Sequence, residues 1–192
     1  MDKELIFYEQ LDTLILPNRF LNARIDEQTN PTIVAMIKEY VGNLDKYESL
    51  GIAPSFFGTA GSGKTYAAAV VGKLLAARGY PVYWAQTVLE LNKLLDYRDF
   101  RTEAYFSLKN KLLTTKVVIL DDFGQLRDYQ RIRETFFEIV DYRYAWKLST
   151  VFTANFNIEH EENWVLVGKG FGGMLARRIK AMSEGLTFNA AE

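Results

Sequence analysis

Residues 58–65 read GTAGSGKT, and the apolar run VVIL ends in the paired acids Asp121 and Asp122. Gly58, Gly63, Lys64 and Thr65 satisfy the spacing G-x-x-x-x-G-K-[ST]. In that pattern successive backbone N–H groups and a helix N-terminus surround phosphate oxygens, the lysine neutralises them, and the threonine hydroxyl reaches Mg²⁺. The small residues Thr59, Ala60, Gly61 and Ser62 let the backbone close on an anion. The two acids sit at the carboxyl end of a buried strand, where open α/β sheets hold their ligands. There one carboxylate can hold a metal's hydration shell while its neighbour orients or deprotonates an attacking water. The alternative is an ordinary strand-to-turn pair ahead of Phe123 and Gly124. Thr153 and Asn155 end the next strand, where an amide either bonds a water or phosphate or serves a turn. Arg177 and Arg178 are either a solvated basic face with Lys180 or a source of a guanidinium for a neighbouring subunit's site.

The elements that must position these groups are legible in the periodicity. Asn30 and Pro31 read as the cap and first residue of a helix carrying Ile33, Ile37, Tyr40, Val41 and Leu44 on one face and stopping at Gly51. A short buried strand at 55–57 feeds the glycine loop, and a helix runs from Lys64 to Arg78 with Gly79 as its stop. PVYWA at 81–85 is a second strand, followed by a helix that Thr87 and Glu90 start as a capping box. A helix over about 101–113 leads to the strand KVVIL at 116–120. A long helix at 127–146, a strand at 149–153, a helix at 174–182 and a strand at 186–188 complete the series. Strands alternating with helices predict a mostly parallel sheet covered on both faces. The segment from Leu5 to Leu16 either packs on its own domain or docks on a partner.

Composition sets the outer bounds. A chain of 192 residues, 48% hydrophobic and 24% charged, can bury one sizeable core without metal or disulfide staples. It has no cysteine, a formal net charge of −1, and no run near the roughly 20 apolar residues of a membrane span. The N-terminus MDKELIFYEQ does not read as a secretory signal, so the expected location is cytoplasmic. The near-neutral charge argues against broad wrapping by nucleic acid and leaves room for a local basic strip. His160 and the three tryptophans suggest no chemistry.

The order of these parts resembles the AAA+ ATPases, in particular the DnaC/IstB group of helicase loaders and transposition helper ATPases. The resemblance is carried by LPNRF at 16–20, GTAGSGKTYAAAVVGKLLAARGYPVYW, VVILDDFG, FEIVDYRY, STVFTANF and LARRI, over about residues 16–189. It implies an α/β P-loop NTPase of AAA+ (ASCE) type, with a five-stranded parallel sheet in the order 5-1-4-3-2. It also implies ATP and Mg²⁺ as cofactors, ATP-dependent assembly into a homo-oligomeric ring or spiral, and ATP hydrolysis. The implied task is loading or remodelling a replicative DnaB-type helicase on single-stranded DNA during DNA replication. By motif match, Gly58 to Lys64 hold phosphates, Thr65 and Asp121 serve the metal, Asp122 the water, Asn155 acts as sensor 1, and Arg178 is the arginine finger, with Arg177 as the alternative. Arg143 matches a position near the subunit boundary in such loaders without a role of its own. Helices between the second and third strands face single-stranded DNA in related proteins; here Arg98, Arg101, Lys109 and Lys111 stand beside Tyr97, Phe100, Tyr105 and Phe106, either as such a contact or as one core face with solvated charges.

Two departures shape the expectation. Residues 1–16 stand where this group usually has a separate helicase-binding domain, and the chain ends four residues after Phe188, leaving no helical lid and no sensor 2 arginine. The domain reading is therefore a partner-binding segment at 1–16 and an ATPase domain at 17–192, a minimal form of phage or mobile-element type. Competing readings are an IstB-like transposition helper acting on duplex DNA with a transposase, a P-loop small-molecule kinase, and a nucleotide-gated binding module that hardly hydrolyses.

Overall fold

A computed structural model describes residues 16–98, 102–125, 130–159 and 172–190. Positions 5–15 of the N-terminal segment, Phe100, Arg101, Arg127, His160 and the side chain of Arg98 lie outside the described residues.

The chain enters along residues 16–26 as an irregular strap with one short 3-10 turn at Asn18–Phe20. Asn30 then caps helix α1 (Pro31–Gly42), its side-chain oxygen accepting the Thr32 N–H at 2.9 Å. The single helix predicted up to Gly51 is two: α1 stops at Asn43, whose amide donates back to the Glu39 carbonyl at 3.2 Å, and α2 (Leu44–Leu50) follows. Gly51 closes α2 in the left-handed region at φ 73, where a Cβ would lie 2.6 Å from the Lys147 backbone.

The remainder alternates as expected: β1 (Ser55–Gly58), α3 (Lys64–Ala76), β2 (Val82–Gln86), α4 (Thr87–Arg98), α5 (Glu103–Thr114), β3 (Val117–Asp121), α6 (Gln130–Ala145), β4 (Ser149–Ala154), α7 (Gly172–Met182) and β5 (Thr187–Ala190). The five strands are parallel in the order β2-β3-β4-β1-β5, which is the predicted 5-1-4-3-2 viewed from the other edge. Alternate side chains of each strand serve opposite faces. Phe56, Val117, Ile119 and Val151 pack with α1, α3 and the strap, while Phe57, Val118, Leu120 and Phe152 pack with α4 through α7. Each large apolar side chain so buried contributes about 1.5–3 kcal/mol.

Two local expectations change. Thr87 and Glu90 do not close a reciprocal box: the Thr87 hydroxyl donates to the Asp121 carbonyl at 2.8 Å, and the Glu90 carboxylate accepts from Tyr83 and Lys93 at 3.0 Å. Tertiary partners outcompete the local cap. Arg143, placed by resemblance near a subunit boundary, is wholly buried. Its guanidinium donates to Thr150 Oγ1 (2.8 Å), to the carbonyls of Leu112, Leu113 and Thr115 at the end of α5 (3.2, 3.2 and 2.9 Å), and to Ser149 O (2.8 Å). A cation there satisfies orphan carbonyls and the negative end of the helix dipole together. Burial pulls its pKa down to about 9, so it stays protonated at neutral pH. Arg143→Leu leaves these acceptors without a donor and is expected to cost roughly 3 kcal/mol or more of stability. A urea unfolding curve with an unchanged midpoint would refute this role.

Candidate nucleotide site

The site forms where β1, β3 and β4 end. Gly58 leaves β1 at φ 116 and lies so close to β5 that a Cβ would meet the Ala190 carbonyl at 2.5 Å. No side chain fits there, which fixes the first glycine of the loop. Gly61 and Gly63 turn the loop at φ 81 and φ 84 and deliver it to the N-terminus of α3. The positive end of the helix and its unpaired N–H groups thus face the loop's concavity.

Lys64, the first residue of α3, is buried, and its Nζ donates to the Thr59 carbonyl at 2.5 Å and to Ser62 Oγ at 3.2 Å. Burial lowers its pKa, while Asp122 and Asp121 oppose the shift. The ammonium is thus held inside the loop, at the place where phosphate oxygens would share it.

The acids face it from β3. Thr153 Oγ1 donates to Asp121 Oδ1 at 2.7 Å and accepts the Asp122 N–H at 2.8 Å, so one hydroxyl on β4 fixes both residues. Burial pushes the Asp121 carboxyl up; hydrogen bonds from Thr153 and Thr65, then the charges of Arg19 and Lys64, work against that. Asp122 adopts φ 52, a left-handed conformation rare outside glycine and best tolerated by Asn and Asp. Its Oδ1 accepts from Asn155 Nδ2 at 2.9 Å. Lys64, Thr65, Asp122, Thr153, Asn155 and Arg19 all line one cavity of about 330 Å³. A neighbouring cavity of about 430 Å³ shares Gly61, Gly63 and Tyr66 with it and is also bounded by Asp26 and Asn30.

Of the predicted loop, acid and amide residues, Ala60, Gly61, Gly63, Lys64, Thr65, Asp122 and Asn155 line this cavity, and Asp121 is joined to it through Thr153. Arg177 and Arg178 do not line the cavity among the described residues. Arg178 pairs with Asp141, stacks 4.8 Å from the centre of the Phe137 ring and is mostly buried; Arg177 is exposed. In the basic and aromatic strip, Lys109 is paired with Glu138 at 2.7 Å, while Phe106 and Lys111 are exposed. Sequence reasoning missed two groups. Arg19 was visible only inside LPNRF, and Tyr66 only as the residue after the motif; neither position has a spacing rule that would single it out. The linking role of Thr153 had a signal, since it lies two residues before Asn155 at the end of β4.

A glycine loop opening a helix beside β1, with two acids at the end of β3 and an amide just past the intervening β4, defines a P-loop nucleotide-binding domain of AAA+ type. The sequence model of IstB-like ATP binding proteins matches residues 55–180, and the chain belongs to that family. The fold is similar to that of a DnaC helicase loader, with TM-score 0.74, 22% identity, and coverage of 91% of this chain and 100% of that one. It is similar to DnaI, with TM-score 0.70, 20% identity and coverage of 96% and 97%. It also resembles a replication initiator DnaA solved with AMPPCP and single-stranded DNA, with TM-score 0.70, 18% identity and coverage of 93% of this chain and 51% of that one. At these identities the structural likeness concerns the fold. No curated protein matches the sequence.

Proposed function

We propose that this chain hydrolyses ATP and, self-associated in its ATP-bound form, loads or remodels a replicative DnaB-type helicase on single-stranded DNA. The observation that carries hydrolysis is the continuous set of hydrogen bonds joining Asp121, Thr153, Asp122 and Asn155 across two strand ends, facing Lys64 and Thr65 on the loop helix. In this reading Gly58 to Lys64 cradle the phosphates and Asn155 senses the terminal one. Asp122 activates water, with its carboxylate oriented by the Asn155 amide. Thr65 and Asp121 supply the hard oxygen donors that fit Mg²⁺, an ion that takes one or two protein oxygens and keeps waters and phosphates for the rest. When bound, it would neutralise charge between the terminal phosphates.

A guanidinium donated in trans would come from α7. Arg178 would have to leave Asp141 and the Phe137 ring, whereas the exposed Arg177 gives up no such contacts, so the structure favours Arg177 over the motif-matched Arg178. The helicase reading is supported by family membership and by the fold shared with DnaC and DnaI. Residues 1–15 are the proposed helicase contact; Leu16 belongs to the core and stays with the domain. Among the described residues no helix is long and apolar enough to cross a membrane.

The test is co-elution of the tagged chain with a replicative helicase in ATP. Removal of residues 1–15 is expected to abolish co-elution and to leave ATP binding intact; unchanged co-elution would reject that contact. The family match also favours an IstB-like transposition helper, which the same experiment distinguishes by capturing a transposase on duplex DNA instead. Phosphoryl transfer from labelled ATP to a nucleoside or nucleotide would instead identify a small-molecule kinase. A specific ATPase activity that rises with protein concentration is expected if a neighbour completes the site.

A further inference from the structure

The strap that precedes α1 has no part in the chemistry above, yet it is bolted to the loop helix. The Tyr66 hydroxyl, one residue after Thr65, accepts the Arg24 N–H at 3.0 Å and donates to the Arg24 carbonyl at 3.1 Å. Two turns further along α3, Lys73 Nζ donates to the carbonyls of Leu21 (2.6 Å) and Ala23 (3.0 Å). Phe20 is buried against Trp84, with ring centroids 5.9 Å apart. The strap's position is therefore fixed from both sides, relative to the same helix that presents Lys64 and Thr65.

One charged side chain of this strap faces the phosphate mouth. The Arg19 guanidinium lies 4.7 Å above the centre of the Phe20 ring and lines the cavity with Lys64, Thr65, Asp122 and Asn155. Stacking on a locked ring restrains a long side chain and reduces the entropy lost on binding an anion. Its charge favours the ionised form of Asp121, which is joined to the cavity through Thr153. A terminal phosphate entering this mouth meets the Asp122 carboxylate on the wall and that of Asp121 behind Thr153. Lys64 alone does not balance them, and Arg19 is the other cation on the cavity wall among the described residues.

We propose that Arg19 is a ligand for the terminal phosphate of a nucleoside triphosphate, supplied by the chain's own strap, so that a single subunit distinguishes ATP from ADP. A planar guanidinium suits this role because it offers paired N–H donors to phosphate oxygens. This inference rests on the ATP-binding reading of the same site. ADP ends one phosphate short and makes the contact weakly or not at all.

The experiment measures dissociation constants of the full chain for ADP and for a non-hydrolysable ATP analogue, each with magnesium chloride. Arg19→Ala is expected to weaken the triphosphate analogue by about 10- to 100-fold and ADP by less than about threefold. Arg19→Lys, which keeps the charge without the fork, is expected to recover part of the loss. Equal weakening of both nucleotides would reduce Arg19 to a brace for the strap and overturn the proposal, as would unchanged affinity for both. Wild-type protein that bound neither nucleotide would overturn this inference and the ATP-binding reading together, whereas normal wild-type binding with an unselective variant overturns only the former.

Discussion

Asp122→Asn is expected to bind ATP as the wild type does and to turn it over roughly 10²- to 10⁴-fold more slowly, the usual contribution of a general base. The substitution isolates chemistry from folding for a reason specific to this position. Asp122 sits at φ 52, where most side chains are strained, and asparagine is among the few residues that share aspartate's tolerance of that conformation. The asparagine carbonyl can still accept from Asn155, and the main-chain N–H still reaches Thr153. What disappears is the negative charge and the ability to take a proton from water. Single-turnover hydrolysis of pre-bound ATP checks the outcome; a variant that hydrolyses at the wild-type rate would move the base elsewhere. Asp122→Ala is a poorer probe, because it adds backbone strain and leaves the Asn155 amide without this acceptor.

Lys64→Ala is expected to weaken ATP by roughly 10- to 150-fold, the range for removing a charged hydrogen-bond donor from a phosphate. Its effect on the nucleotide-free protein should run the other way or be absent. Burial lowers the Lys64 pKa, so the folded chain disfavours this charge relative to the unfolded chain, and that cost is present at neutral pH, where the unfolded lysine is fully protonated. Losing the Thr59 and Ser62 contacts offsets part of the relief. Thermal melts with and without ATP separate the two effects. The wild type should gain stability from ATP through binding linkage, whereas the variant should start near the wild-type midpoint and gain little. An undiminished ATP-induced shift in the variant would refute the assigned role. Stability and binding pull in opposite directions at this residue because a phosphate site needs a cation that the apolar surroundings oppose.

Much of this architecture was legible because the relevant signals are local. Glycine spacing, a buried apolar strand and two terminal acids each follow from a few neighbouring residues, and the structure gathers them at one mouth. The sheet order came from the family resemblance, since alternation of strands and helices predicts parallel pairing but not which strand lies beside which. Apart from the local helix break at Asn43, the misses are long-range. Thr87 and Glu90 look like a cap in sequence, but Asp121, Tyr83 and Lys93 claim them in space. Arg143 looks like a surface charge on a polar helix; only the fold shows that α5 ends against it. Arg178 and Arg177 are chemically alike in the sequence, and the neighbouring helix makes them different by placing Asp141 and Phe137 beside one of them. Arg19 faces the mouth because Tyr66 and Lys73, more than forty residues away, tether its segment.

The sheet order also bears on biosynthesis. β1, which carries the phosphate loop, has as its two neighbours β4 and β5, the last two strands of this sheet to be translated. A growing polypeptide therefore emerges with this strand unclasped along both edges and obtains its second neighbour only when residues 187–190 leave the ribosome. The loop thus gains its full support only once the fifth strand has joined the sheet.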